Sequence, residues 1–132
     1  MIVDTSAIVA ILTDEPAANA LIDAILQADE VWISAATLVD LYAVLDRRST
    51  PEQRRQLDAL LEQLGIQTAA FTAEHAAIAR EAYRDFGRGS GHRAGLNLGD
   101  CFSYALATAR RAPLLYVGQD FGHTDVRAAF EA

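Results

Sequence analysis

Val31-Trp32-Ile33-Ser34-Ala35-Ala36-Thr37-Leu38-Val39-Asp40 passes from a short apolar run, through a serine, into a long apolar stretch. β-Branched and aromatic residues at 31–33 predict a short buried strand. Ser34 is a preferred N-cap, so a helix follows and runs to about Arg48. The same strand-then-helix step recurs on both sides. Upstream, Met1-Ile2-Val3 is an apolar run that ends in Asp4-Thr5-Ser6; residues 7–12 then read as a short helix, and Pro16 opens another through about Gln27. Downstream, Thr50-Pro51 caps a helix with Leu57, Leu60, Leu61 and Leu64 along one face, stopped by Gly65. Residues 66–69 form a further strand. Thr72 starts a helix that ends near Phe86-Gly87, and 87–95 is a glycine-rich, basic loop. Another helix spans about 98–111, and Pro113 precedes a strand over 114–117. The tail from Gly118 to Ala132 reads as a turn, a short strand near Val126 and a frayed end. Strands alternating with helices predict an α/β sandwich around a mostly parallel sheet of four to five short strands.

The 132 residues, 52% of them apolar, fit one domain over 1–132 with a real core and no need of staples. A single cysteine, Cys101, excludes an intramolecular disulfide framework and a multi-cysteine zinc site, and suits a reducing compartment. Met1-Ile2-Val3 runs straight into Asp4, and no stretch approaches a membrane span, so a soluble, cytoplasmic protein is expected. The net charge of −7 argues against broad, non-specific nucleic-acid binding, which leaves a basic footprint. It permits a nucleic-acid substrate where metal ions neutralise a carboxylate pocket. All 11 basic residues are arginine, which disfavours chemistry that relies on lysine: Walker-type nucleotide binding, Schiff bases and receiver-type phosphorylation.

In parallel sheets the ligand crevice lies beyond the carboxyl ends of the strands. Asp4 follows the first strand and Asp120 follows the strand over 114–117, so both belong at that edge. Asp4 alone also suits a helix N-cap, and Asp120 a turn. Asp40 lies in a stretch that is apolar almost all round, which predicts a helix buried on most faces. A carboxylate there needs a cation, a donor network, a raised pKa or an arginine. Asp100 sits in a first helical turn behind Asn97, a position the helix dipole favours. Together the four acids can meet at one edge. Such all-oxygen surroundings suit Mg²⁺ or Mn²⁺, which activates water and polarises a phosphoryl oxygen for phosphodiester hydrolysis.

Four segments carry a family resemblance: Met1-Ile2-Val3-Asp4-Thr5-Ser6-Ala7, residues 34–40, residues 94–107 around Gly99-Asp100-Cys101-Phe102-Ser103-Tyr104, and residues 114–126. In this order the chain resembles the PIN-domain ribonucleases, specifically VapC-type toxins of bacterial toxin–antitoxin pairs. The resemblance implies a three-layer α/β/α sandwich and a growth-inhibiting endoribonuclease that needs Mg²⁺, with Mn²⁺ as a substitute. It further implies a homodimer, neutralised by a VapB-type antitoxin whose tail occupies the active-site groove. Carried over by position, Asp4, Asp40, Asp100 and Asp120 are the catalytic and metal-binding set, Asp125 is peripheral, and Thr5 or Ser6 orients a ligand or water. The family's second acid is usually glutamate. Asp40 is a methylene shorter, which fits a ligand that acts through water or a water-orienting base.

Arg84, Arg88, His92 and Arg93 flank or occupy the glycine-rich loop; both phosphate or antitoxin contact and a solvated loop remain open, with Arg88 and Arg93 the candidates for contact. Arg47, Arg48, Arg54 and Arg55 decorate a solvated helix pair. His75 and His123 read as surface residues whose spacing suits no metal site, and Cys101 as a small core residue. A rival reading is a catalytically weak module that binds RNA or antitoxin. A phosphohydrolase using Asp4 as a covalent nucleophile is disfavoured, because no second acid follows two positions on and no lysine is present.

Overall fold

Ile2, Val3, Val31, Ile33, Leu114 and Leu115 are all buried, as strands of a parallel sheet covered on both faces must be. The computed structural model describes residues 1–130, with Arg48 by its backbone only. It places these residues in β1 (Ile2–Val3), β2 (Val31–Ser34) and β4 (Leu114–Leu115), and adds a more exposed strand, β3 (Ile66–Ala69). The order across the sheet is β3-β2-β1-β4, and every pairing is parallel, with Ile2 opposite both Trp32 and Leu114. The chain steps from β1 outward to β2 and β3, then returns to lay β4 on the other side of β1. The order therefore reverses between β1 and β4, where an open α/β sheet forms its ligand crevice.

The helices are α1 (Thr5–Leu12), α2 (Ala18–Gln27), α3 (Ala35–Arg48), α4 (Pro51–Gln63), α5 (Ala73–Phe86) and α6 (Leu98–Arg110), with a 3₁₀ helix at Asp120–His123. Alternate strand residues face opposite sides. Val3, Val31, Ile33 and Leu115 pack with Ile8, Leu21, Ile25, Leu41, Leu45 and Leu57 from α1 to α4. Ile2, Ala69 and Leu114 pack with Ala79, Ala82, Tyr104 and Leu106 from α5 and α6. Two cores on one sheet give the expected three-layer α/β/α sandwich.

Local chemistry sets most boundaries. Ser34 Oγ accepts from Ala36 N, and Thr50 and Thr72 close reciprocal capping boxes with Gln53 and His75; caps of this kind contribute about 1 kcal/mol each. α1 begins at Thr5, two residues before the expected start, because Asp4 caps it through Ser6 N. α2 begins at Ala18, two residues after Pro16. The turn between α1 and α2 is closed instead by Glu15 N donating to Ala10 O and Ala18 N to Glu15 O, with Asp14 at φ 53°.

Sequence alone also placed some exposures and ends wrongly. α3 is not buried on most faces: Val39 is 70% and Tyr42 38% exposed, because only the face of Leu41 and Leu45 meets the sheet. β4 stops at Leu115, since Val117 N donates to Ser6 Oγ (3.0 Å) rather than to a ladder, and Gly118 turns the chain at φ +104°. The strand expected near Val126 is a single bridge. Leu114 N donates to Arg127 O and Ala129 N to Leu114 O, which covers the outer edge of β4. The end of the predicted frayed tail, 131–132, lies outside the described residues. His75 is buried, its ring edge-on to Phe71 while Nδ1 accepts from Thr72 N.

Candidate active site

Asp4 stands where β1 becomes α1, at the point where the strand order reverses. Its carboxylate is 2% exposed and accepts three hydrogen bonds. Oδ2 takes Ser6 N at 3.0 Å and Ser6 Oγ at 2.7 Å, and Oδ1 takes Ser103 Oγ at 2.6 Å. Asp4 thus caps a helix and lines the cleft at once. Burial pushes its pKa above the ordinary value; hydrogen bonds from Ser103 and Ser6 oppose that rise, and the charge of Asp40 adds to it.

Asp40, on α3, accepts from Thr5 Oγ1 at 2.8 Å. The next residue after Asp4 therefore tethers the second acid, and the donor is a hydroxyl rather than an arginine. A Cβ on Gly99 would lie 2.6 Å from the carboxyl carbon and both oxygens of Asp40. α6 approaches α3 this closely because residue 99 is glycine.

Asp100 occupies the third position of α6 in a reciprocal box with Asn97: Asp100 N donates to Asn97 Oδ1 at 2.8 Å and Asn97 N to Asp100 Oδ2 at 3.0 Å. Its pKa is pushed up to about 7, first by burial, then by the charges of Asp4, Asp120 and Asp40, against the bond from Asn97. Donors at a helix start would by themselves favour the anion. Crowding and burial win over them.

Asp4, Asp40 and Asp100 line one cleft of about 280 Å³ together with Thr5, Ser6, Val9, Glu15, Val44, Asn97 and Val117. Asp120 does not line it. It is exposed at the start of the 3₁₀ helix, near enough to act on Asp100 by charge alone. Arg88 and Arg93 are exposed on the glycine-rich loop and are also absent from the cleft wall. Asp125 is drawn away: Tyr104 OH donates to its Oδ1 at 2.5 Å, beside Arg111 and Arg127. Cys101 is buried, and desolvation first, then Asp100, pushes its thiol up to about 12, so it is not a nucleophile.

Four residues of the site escaped the sequence reading. Ser103 lies one helical turn beyond Asp100, and Thr37 one turn before Asp40; the i, i+3 spacing places each pair on one helix face. The signal for Gly99 was a glycine directly beside an acid in a first helical turn. Glu15 gave no local signal, since only the turn between α1 and α2 brings it to the cleft.

The donor set suits a hard divalent cation: carboxylates, two of them raised by burial and by the charges of neighbouring acids, with hydroxyls behind them. Among the described residues no three acidic, histidine or cysteine side chains converge closely enough to cage an ion by themselves. The cleft leaves room for the waters that Mg²⁺ and Mn²⁺ retain.

A PIN-domain family model matches residues 1–127. Ribonuclease VapC28 of Mycobacterium tuberculosis is 53% identical over 131 residues, 99% of this chain and 98% of that protein. The crystal structure of VapC20 from Mycobacterium tuberculosis, a toxin that cleaves the sarcin–ricin loop, superposes with a TM-score of 0.72 at 18% identity over 95% of each chain. VapBC2 from Rickettsia felis, bound to DNA from its promoter, gives 0.73 at 16% identity over 96% of this chain and 94% of that one. At those identities the two structures speak to the fold. With a family model over nearly its whole length and a relative sharing half its residues, the chain belongs to the PIN-domain family and, within it, to the VapC ribonucleases.

Proposed function

We propose that this protein is a cytoplasmic endoribonuclease toxin that hydrolyses RNA phosphodiester bonds with Mg²⁺, or Mn²⁺ in its place. The observation that carries the reading is the convergence of Asp4, Asp40 and Asp100 on one cleft at the strand-order reversal, with burial and mutual repulsion raising Asp4 and Asp100. Asp4 and Asp100 would hold the ion directly, Asp40 through water, and Asp120 from the rim. Once bound, the ion supplies a water of lowered pKa and a charge against the phosphoryl oxygen. Ser6 and Ser103 hold the Asp4 carboxylate still, and Thr5 does the same for Asp40. Val9, Val44 and Val117 give the cleft apolar walls, which strengthen charge interactions inside it. Arg88 and Arg93 meet phosphates of the RNA flanking the cut, or acidic residues of an antitoxin.

The partners are a second copy of the chain and a VapB-type antitoxin. Similarity to the VapBC2 complex supports the antitoxin, and the exposed Val39 and Tyr42 of α3 give an apolar surface for a protein partner to cover. Among the described residues no helix is long and apolar enough to cross a membrane, in keeping with action in the cytoplasm.

The test is RNA cleavage by the purified chain after treatment with EDTA and again after Mg²⁺ or Mn²⁺ is restored. Cleavage lost and regained supports the proposal, and equal cutting in EDTA overturns the metal requirement. RNA binding without cleavage at any metal concentration supports instead the weak binding module.

A further inference from the structure

Behind Asp4 lie two buried hydroxyls from different helices. Thr37 on α3 and Ser103 on α6 are both 0% exposed; their oxygens are 3.1 Å apart, and Ser103 Oγ donates to Asp4 Oδ1 at 2.6 Å. Proton counting orders the chain of bonds. Ser103 has one hydroxyl proton, which goes to the carboxylate, so Thr37 donates to Ser103. A carboxylate offers about four lone-pair sites. Ser6 N and Ser6 Oγ occupy Oδ2, and Ser103 occupies one site on Oδ1. One site on Oδ1 remains.

We propose that the Thr37–Ser103 pair is a positioning device that confines Asp4 to a single available lone pair on Oδ1, fixing it as a one-oxygen ligand for a divalent cation. The inference rests on the metal-dependent reading above. The pair also couples the acids. Thr37 lies one turn from Asp40 on α3, and Thr5, adjacent to Asp4, donates to Asp40. Hydroxyl bridges thus run from α3 through α6 to Asp4, and from α1 back to α3.

Calorimetric titration of Mn²⁺ into the full chain tests this, with thermal melts confirming that each variant folds. Ser103→Ala is expected to weaken Mn²⁺ binding about tenfold or more, the usual effect of removing a group that orients a ligand. Thr37→Val, which keeps shape and loses the hydroxyl, weakens it several-fold, and Thr37→Ser binds as the wild type does. In the Ser103→Ala background Thr37→Val adds nothing, because Thr37 acts through Ser103. Wild-type affinity in Ser103→Ala or Thr37→Val, or additive losses in the double variant, overturns the positioning role and leaves the metal reading intact. A wild type that binds no Mn²⁺ overturns the metal reading and this inference with it. Should Ser103→Ala not fold, the contrast of Thr37→Val with Thr37→Ser decides alone: equal affinity in the two overturns the proposal.

Discussion

Replacing Asp100 by asparagine is expected to stabilise the metal-free protein while destroying its activity. The carboxyl of Asp100 is raised from 3.8 to about 7 by burial and by the charges of Asp4, Asp120 and Asp40. Between those values the folded chain holds a proton that the unfolded chain has released, so stability falls as pH rises through that window. The rise corresponds to about 4 kcal/mol for a fully enclosed group. Asp100 keeps part of its surface in water, and screening reduces the figure to about 2 kcal/mol. Asparagine removes the charge and keeps a carbonyl oxygen that can accept from Asn97 N. Urea denaturation in EDTA at pH 5 and pH 8 reads the effect. The wild type should lose stability between the two, from Asp100 and also from Asp4, whose carboxyl is raised in the same direction. Asp100→Asn should lose about 1 kcal/mol less, since pH 5 already lies inside the window, and be the more stable protein at pH 8. An unchanged difference between pH 5 and pH 8, or a variant weaker than wild type at pH 8, would refute the electrostatic account of the cleft.

Other perturbations separate site from scaffold. Gly99→Ala places a Cβ 2.6 Å from the Asp40 carboxyl, the movable end of a side chain, so melting should shift little while RNA cleavage falls about tenfold or more. Leu45→Ala, at a fully buried position against the sheet, should cost about 2–5 kcal/mol in urea denaturation. Mn²⁺ at a hundred times its dissociation constant should stabilise the wild type by about 2.7 kcal/mol, and less at pH 6 than at pH 8, because the raised carboxylates must first lose their protons. Arg88→Ala with Arg93→Ala should raise KM for RNA and leave kcat nearly unchanged, since both residues stand outside the cleft wall.

Chemistry local in sequence was legible in it. Ser34, Thr50, Thr72 and Asn97 cap helices where their residue types predict, the short apolar runs at 1–3 and 31–33 form strands, and so does the less apolar stretch 66–69. What sequence could not supply depends on contacts between distant segments. The apolar perimeter of α3 does not say which face meets the sheet, so the exposure of Val39 and Tyr42 was invisible. β4 ends early because Ser6, 111 residues away in sequence, takes Val117 N. Glu15 reaches the cleft through a backbone turn that replaces the first turn expected of α2. At the site, Asp4, Asp40 and Asp100 were identifiable one by one. The hydroxyls that hold them were not, because Thr37 and Ser103 resemble ordinary small core residues until α3 and α6 are packed together. Asp120 was expected among the other acids, and the turn after β4 leaves it exposed at the rim.

If carboxylates of this cleft carry metal-dependent RNA hydrolysis, neutralising one of them must stop it. The deciding measurement is the rate of RNA cleavage in saturating Mn²⁺ by Asp4→Asn beside the wild type, both shown to be folded. Cleavage by the wild type is expected, with a loss of at least about a hundredfold in the variant. Equal cleavage by the two proteins would contradict it.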